Sequence, residues 1–342
     1  MMNDFSLLIF IICSLIPILF FYKLEFFSKK INLFDKPDNK LKIHKKNTLS
    51  GGGIIFASLT LIIFSYEIFY YESDLFFIEG SKTKFVFFFG IFSTFFLGLY
   101  DDKYTLLYKS KFIYLILIIY ICLLIDNDLS IKVLRFDSFK KIIYLNNFDN
   151  LFTCLCILLF INALNLFDGL NLQVGAYVAL IFLIFTFLFN QTYFIYYFFG
   201  FLIFLIFNHR TKIFLGNNGS LFFGFFISYF TIKFHNYNYI KSDEVFLLMM
   251  IPGMDMFRLF LMRIIKGKNP FKGDRNHIHH LISKRFNHFV TFLIIQLNIA
   301  TPIIAYYYFK SSMGFSILLG IFIYLLLILK FTNIKNKKKF KF

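Results

Sequence analysis

The sequence predicts an all-α fold, a polytopic membrane helix bundle of about eleven spans, with ten as the alternative. Three observations carry that prediction. Of 342 residues, 58% are hydrophobic and only 16% charged, and the mean hydropathy is +0.70. A soluble domain of this length carries more charge than that. Apolar runs near the length needed to cross a bilayer as helix recur along the whole chain. Lys and Arg fall mainly in every second connection between those runs, as the positive-inside rule expects.

The runs cover roughly 5–22, 52–71, 84–100, 111–125, 150–166, 172–189, 192–208, 219–234, 244–262, 289–308 and 314–331. The fourth is short and the fifth runs into polar residues. From 150 to 234 the runs follow one another almost without loops, which predicts tightly packed antiparallel neighbours. The first resembles a signal h-region, but Asp4 precedes it and no small-x-small site follows, so an uncleaved span is expected. With 21 Tyr and no Trp, tyrosines must supply the interfacial belt.

Eleven spans place 26 Lys/Arg on one side and 9 on the other, with Arg258 inside a span. The richer side is expected to be cytoplasmic, with the N-terminus outside and the tail 332–342 as a basic cytoplasmic anchor. The net charge of +17 then points to membrane lipids and phosphates as partners and not to nucleic acid. Cys13, Cys122, Cys154 and Cys156 all sit in apolar runs, which predicts buried inert thiols. No soluble domain, linker or fixed-period repeat interrupts the chain, so residues 1–342 read as one domain. A transporter built on inverted repeats is disfavoured, because no matching halves are visible and Arg258 is the one clear basic residue within a span.

Five loops on the predicted cytoplasmic side carry chemistry. The first runs from Leu33 to His44, with Lys45 and Lys46 following, and reaches Gly51, Gly52 and Gly53 at the start of the second span. Glycines at a helix start either let backbone N–H groups approach a phosphate or give a flexible entry. In the second, Gly98 leads to Asp101, Asp102 and Lys103. Adjacent carboxylates at a membrane boundary repel unless a cation or proton is shared, and such hard oxygens suit Mg²⁺. In the third, Asn162, Asn165 and Asp168 lie on one side of a helix, before Gly169. The fourth, Gly216-Asn217-Asn218-Gly219-Ser220, is a Gly-rich turn into a span. The fifth holds Pro252, Asp255 and Arg258, then Asp274, Arg275, His277, His279 and His280, which read as a compact anion site. A zinc site there lacks cysteine and any helical i, i+4 histidine pair.

Together these loops resemble the polyprenyl-phosphate N-acetylhexosamine-1-phosphate transferases, the glycosyltransferase family 4 membrane enzymes. The resemblance covers roughly residues 33–285, in the family's motif order: His44 with Gly51-Gly52, Gly98 to Lys103, Asn162 to Gly169, Phe214 to Ser220, Pro252 to Arg258, and Asp274 to His280. The His-x-His-His form resembles the undecaprenyl-phosphate N-acetylglucosaminyl-1-phosphate transferase branch. The resemblance implies that undecaprenyl phosphate attacks a UDP-N-acetylhexosamine, giving polyprenyl-diphospho-sugar and UMP, and so starting an envelope polysaccharide in the bacterial inner membrane.

It further implies Mg²⁺ (or Mn²⁺) held by Asn165, Asp168 and Asn217. Asp101 and Asp102 would position or deprotonate the acceptor, with Asp168 also in the catalytic set. His44, Lys45, Gly51, Gly52, Lys103, Asn162, Arg275, His277, His279 and His280 would bind substrate. Asn217 departs from the pattern, which has Asp there, and removes one negative charge beside the metal. A relative that binds without turnover is the alternative the departure suggests. Direct attack and a covalent aspartyl intermediate both stay open, and so do monomer and homodimer.

Overall fold

The computed structural model of the chain describes residues 4–23, 26, 33–35, 48–66, 80–189, 193–210, 212–270 and 275–337. His44, Lys45, Lys46 and Asp274 lie outside the described residues. Within them are α1 (Asp4–Tyr22), α2 (Gly52–Tyr66), α3 (Gly80–Tyr104), α4 (Tyr108–Ile125), α5 (Asp149–Phe167) and α6 (Gln173–Leu188). The second half adds α7 (Phe194–His209), α8 (Gly216–Asn236), α9 (Ser242–Ile265), the short α10 (Ile278–Ile282), α11 (His288–Tyr307) and α12 (Met313–Lys337).

All except α10 coincide with the eleven apolar runs. Among the described residues, six helical segments are long and apolar enough to cross a membrane: Gly80–Tyr104, Tyr108–Ile125, Asn146–Phe167, Ser242–Ile265, His288–Tyr307 and Met313–Thr332. The fourth and fifth runs, the weakest by sequence, are both among them. The protein is an all-α polytopic membrane helix bundle.

The bundle is built around α8. Every residue from Asn218 to His235 is buried, because α3 and α5 run close along it and α2 crosses near its start. Lipid is as apolar as Leu, so helices in a membrane associate through close packing more than through hydrophobic transfer. Small residues permit the approach: a Cβ on Gly90 would overlap the Phe225 ring, and one on Gly224 would lie 2.8 Å from the Ile161 Cα. Against α7 the gap is filled by rings. Phe201 and Phe223 centroids are 4.9 Å apart, Phe194 and Phe230 5.1 Å, and Phe56 of α2 stacks on Phe201 at 4.0 Å. The expected run of sequential neighbours holds for α6 and α7, whereas α8 lies closest to α3 and α5. The outward face is apolar too: Ile113, Leu117, Ile121 and Leu124 of α4 and Leu318, Phe322, Leu325 and Leu329 of α12 are exposed, as a lipid-facing surface requires.

Short strands, unseen in the sequence, close the two ends. At one end β1 (Phe34–Asp35) pairs antiparallel with β2 (Thr48–Ser50), which pairs parallel with β5 (Ile213–Phe214). At the other, β3 (Val133–Phe136) and β4 (Lys141–Tyr144) form a hairpin. Strands of two to four residues are too short for a period-2 pattern to register. The three-stranded end gathers the C-termini of α3 and α5 and the N-termini of α2, α4 and α8, where the chemistry-bearing loops lie.

Candidate active site

Asp101 and Asp102 are adjacent in α3 but do separate work. A helix turns about 100° per residue, so the two carboxylates point to different neighbours. Asp102 reaches the start of α8, where its Oδ1 accepts the Asn217 N–H and its Oδ2 the Asn218 N–H, each at 3.0 Å. The Asn218 Nδ2 also donates to Asp102 Oδ2, at 2.5 Å, and to the Ser50 carbonyl at 2.8 Å. The first N–H groups of a helix have no partner inside it, and an anion there is favoured by the helix dipole. Asp102 therefore caps α8 from a neighbouring helix and fastens three of the five loops together.

The geometry leaves no slack. Gly216 adopts φ +77°, a left-handed conformation that favours glycine, and a Cβ there would strike Ser50. A Cβ on Gly98 would lie 2.5 Å from the Asn217 carbonyl oxygen, and one on Gly52 2.8 Å from the Leu215 Cα. A Cβ on Gly53 would overlap Asn218. Close helix approach thus accounts for Gly52 and Gly53, which the sequence left between phosphate contact and a flexible entry.

Asp101 turns toward α4. Its Oδ1 accepts the Leu106 N–H at 2.7 Å, closing the α3–α4 turn, and its Oδ2 accepts from Lys111 Nζ at 2.9 Å. The same ammonium donates to Asn165 Oδ1 at 3.0 Å and reaches Asn217 Oδ1 at 3.4 Å. Asn165 Nδ2 donates to Asn217 Oδ1 at 2.6 Å and to Ser220 Oγ at 2.7 Å. The second, third and fourth loops thus meet in one oxygen cage, around a lysine that the sequence reading passed over. Lys111 sits at the start of the fourth apolar run.

Asn162 does not join the bonds of the cage described here. It is buried and its Nδ2 donates to the Leu158 carbonyl at 2.7 Å, back onto its own helix, so the shared face with Asn165 does not bring the two to one point. Asp168 is the residue that ends α5, its N–H on the Asn165 carbonyl at 3.4 Å. Lys103 is exposed, with Nζ 5.3 Å above the Tyr104 ring.

The fifth loop forms a second cluster, organised by Asp255 of α9. Its Oδ2 lies 2.8 Å from His277 Nδ1, and its Oδ1 accepts from Arg258 at 2.8 Å, Tyr324 Oη at 3.0 Å and the Ile278 N–H at 3.2 Å. Arg258 also donates to Tyr324 Oη and to the Asn276 carbonyl, both at 2.8 Å. This one intramembrane carboxylate therefore fixes the histidine segment and ties α12 to it. The His277 and His279 rings are parallel, 5.4 Å apart, and His280 lies 4.2 Å from His279. His279 packs where a Cβ on Gly169 would be, which brings the end of the third loop against the fifth and sets Asp168 beside their junction.

Two of the three histidines do not supply the positive charge expected of them. Burial, then the neighbouring His280 and His277, hold His279 well below the usual imidazole range. Burial, then His277, Arg275 and Lys284, lower His280 to about 4. Both are neutral at pH 7. The exposed cations of this loop include Lys266, Lys268 and Arg275, with Arg258 behind Arg275.

Whether the cage suits a metal can be tested on its donors. Asp101, Asn165 and Asn217 present the hard oxygens a divalent ion takes. Yet they carry a single carboxylate charge, and Lys111 already matches it. No group of three or more His, Cys, Asp or Glu able to hold a metal occurs among the described residues, and that includes the histidine trio. As folded, the Asp101–Asn165–Asn217 cage, closed on Lys111, does not fit a divalent ion; the expected set of Asn165, Asp168 and Asn217 also includes the Asp168 carboxylate, at the end of α5.

Residues 84–235 match the sequence model of glycosyl transferase family 4. A 98-residue stretch is 34% identical to the undecaprenyl-phosphate alpha-N-acetylglucosaminyl 1-phosphate transferase of Salmonella typhi, covering 27% of this chain and 26% of that one. The protein of the same name from Escherichia coli (strain K12) is 35% identical over 98 residues with the same shares, and that from Yersinia pestis 35% over 91 residues, with 26% and 25% covered. The matched stretch thus spans about a quarter of the length of these curated relatives. The family match begins in α3 and ends in α8, so it contains Asp101, Asp102, Lys111, Asn165 and Asn217 and stops before the histidine loop. Over residues 84–235, where the oxygen cage is built, the chain is similar to glycosyl transferase family 4.

Proposed function

We propose that the chain transfers N-acetylhexosamine-1-phosphate, with N-acetylglucosamine as the sugar, from a UDP-sugar to undecaprenyl phosphate. The bacterial inner membrane is the setting, with the three-stranded end of the bundle facing the cytosol and the N-terminus outside. One observation carries the proposal: Asp102, within the residues 84–235 that match glycosyl transferase family 4, joins with Asn218 the motif loops of α2, α3 and α8 at a single end of the bundle.

The chemistry follows from the charges. A lipid phosphate oxygen attacks the sugar-bearing β-phosphorus, the bond from that phosphorus to the bridging oxygen breaks, and UMP leaves. Both reactants are anions, so holding them together is the main task. Arg275 and Lys103, both exposed, supply charge for the diphosphate. Neutral His279 and His280 act as hydrogen-bonding groups toward sugar or phosphate oxygens, not as fixed cations. Asp101 keeps Lys111 aimed into the cage. Mg²⁺ or Mn²⁺ remains the cofactor the resemblance implies, but no step is derived through it, because the cage is closed on Lys111.

A second reading has a specific observation behind it. Asn217 together with the Lys111 contact fits a relative that binds lipid phosphate and UDP-sugar without turnover. Membranes containing the chain, given UDP-N-acetylglucosamine radiolabelled in the sugar, separate the two. Label passing into the lipid phase with equimolar UMP supports transfer. Retention of the donor without transfer, converted to transfer by Asn217→Asp, supports the inactive relative. Transfer from other UDP-N-acetyl sugars alone corrects the substrate and leaves the reaction class standing.

A further inference from the structure

The oxygen cage holds a cation that belongs to the chain itself. We propose that the Lys111 ammonium is the resident cation of the Asp101–Asn165–Asn217 cage, that a divalent ion enters only by displacing it, and that Asn217 makes the exchange unfavourable. Lys111 and Asn217 together would therefore set the metal dependence of this site. The proposal deepens the transferase reading and rests on it for the relevance of a divalent ion, while the geometry stands alone.

The distances place one ammonium among oxygens from three helices: Asp101 of α3 at 2.9 Å, Asn165 of α5 at 3.0 Å and Asn217 of α8 at 3.4 Å. Lys111 and Asp101 are both largely buried, their side chains 12% and 10% exposed, so water screens the pair only weakly. An ammonium has three donor hydrogens, and three acceptors surround this one. The charge also balances: one carboxylate, one ammonium and two neutral amides. A divalent ion at the same point would face the ammonium at contact distance with a single carboxylate to offset both. The ammonium must leave for the ion to enter, and at position 217 an amide supplies none of the attraction that a second carboxylate would.

Mn²⁺ titration of the purified full-length protein in detergent, with free Mn²⁺ read by electron paramagnetic resonance, tests this without any transfer assay. Lys111→Gln keeps a hydrogen-bonding group but removes the charge, and it is expected to tighten Mn²⁺ at least tenfold. Asn217→Asp is expected to do the same, and the double variant to bind tightest. Lys111→Arg keeps a cation and should stay as weak as the parent. Adding Asp101→Asn to Lys111→Gln should erase the gain, which assigns the ion to the cage. If Lys111→Gln does not fold, Asn217→Asp decides alone. Unchanged or weaker Mn²⁺ binding in a folded Lys111→Gln, or in Asn217→Asp, overturns the proposal. An absence of sugar-phosphate transfer with these affinity shifts intact would instead sink the transferase reading and leave the cage inference standing.

Discussion

The two ends of the bundle spend their polar groups differently. At the hairpin end, two ion pairs and two hydrogen-bonded carboxylates hold the loops. Lys233 of α8, 1% exposed, pairs with Asp126 at the end of α4 at 3.0 Å, and Lys241 pairs with Asp137. Asp243 Oδ2 accepts the Asp137 N–H, the Ser138 N–H and the Ser138 hydroxyl, all at 2.8 Å. Glu244 accepts the Lys241 N–H at 2.7 Å and the Tyr307 hydroxyl at 3.1 Å. These contacts sew the loop after α4 to the α8–α9 turn. At the cage end, one ammonium serves three oxygens and one carboxylate caps a foreign helix; unpartnered buried atoms occur at both ends among the described residues, the His279 ring nitrogens at this one and Asp243 Oδ1 at the other. A matched pair stabilises; a shared or unmatched buried polar group costs stability and persists where another role needs it. The shared ammonium marks the cage end, and not the hairpin end, as the candidate site.

Breaking the far pair should give the largest loss of stability. Lys233→Met leaves Asp126 buried and uncompensated, which costs about 3–5 kcal/mol, and a thermal melt in detergent should show it while activity per folded molecule holds. Asp102→Asn comes next. It sets an amide N–H against the donors of α8, at a cost of about 1–3 kcal/mol for the unsatisfied group, and should also abolish transfer because the α3–α8 junction shifts. Tyr324→Phe removes one hydroxyl shared by Arg258 and Asp255 and should cost about 1 kcal/mol, read as a modest melting shift and a weaker donor KM.

A separate effect is that of pH. His280 has a folded value of about 4 against an ordinary 6.5, so the unfolded chain binds more protons between the two. Stability therefore rises with pH across that window, is lost progressively below 6.5, and this group leaves it flat from 7 to 8. A His280→Gln variant should lack that part of the acid sensitivity in a melt series from pH 7.5 to 5.

The bundle was legible in the sequence because span length and apolarity are enforced by the bilayer one helix at a time. Ring-filled gaps and glycine contacts followed from no such rule, since α8 could be placed against α3 and α5 only by tertiary packing. At the site, the loops and Asp101, Asp102, Asn165 and Asn217 were legible as polar groups that an apolar chain would not retain idly. Their division of labour was not: adjacent carboxylates suggested one shared ion, whereas helical geometry sends Asp101 to Lys111 and Asp102 to a helix end. Lys233 was hidden because its partner, Asp126, lies 107 residues away. The histidines misled in charge, because burial and mutual repulsion hold two of them neutral.

The contrast between the ends comes to its sharpest test in transfer of labelled sugar-1-phosphate, normalised to folded protein, by Asp101→Asn and Lys233→Met side by side. Asp101→Asn should lose at least a hundredfold in turnover while melting cooperatively at a lower temperature than the parent, because Lys111 loses its carboxylate, and Lys233→Met should melt lower still yet keep turnover per folded molecule within a few-fold. Full turnover in Asp101→Asn, or turnover lost in folded Lys233→Met, would contradict the assignment of chemistry to the cage end.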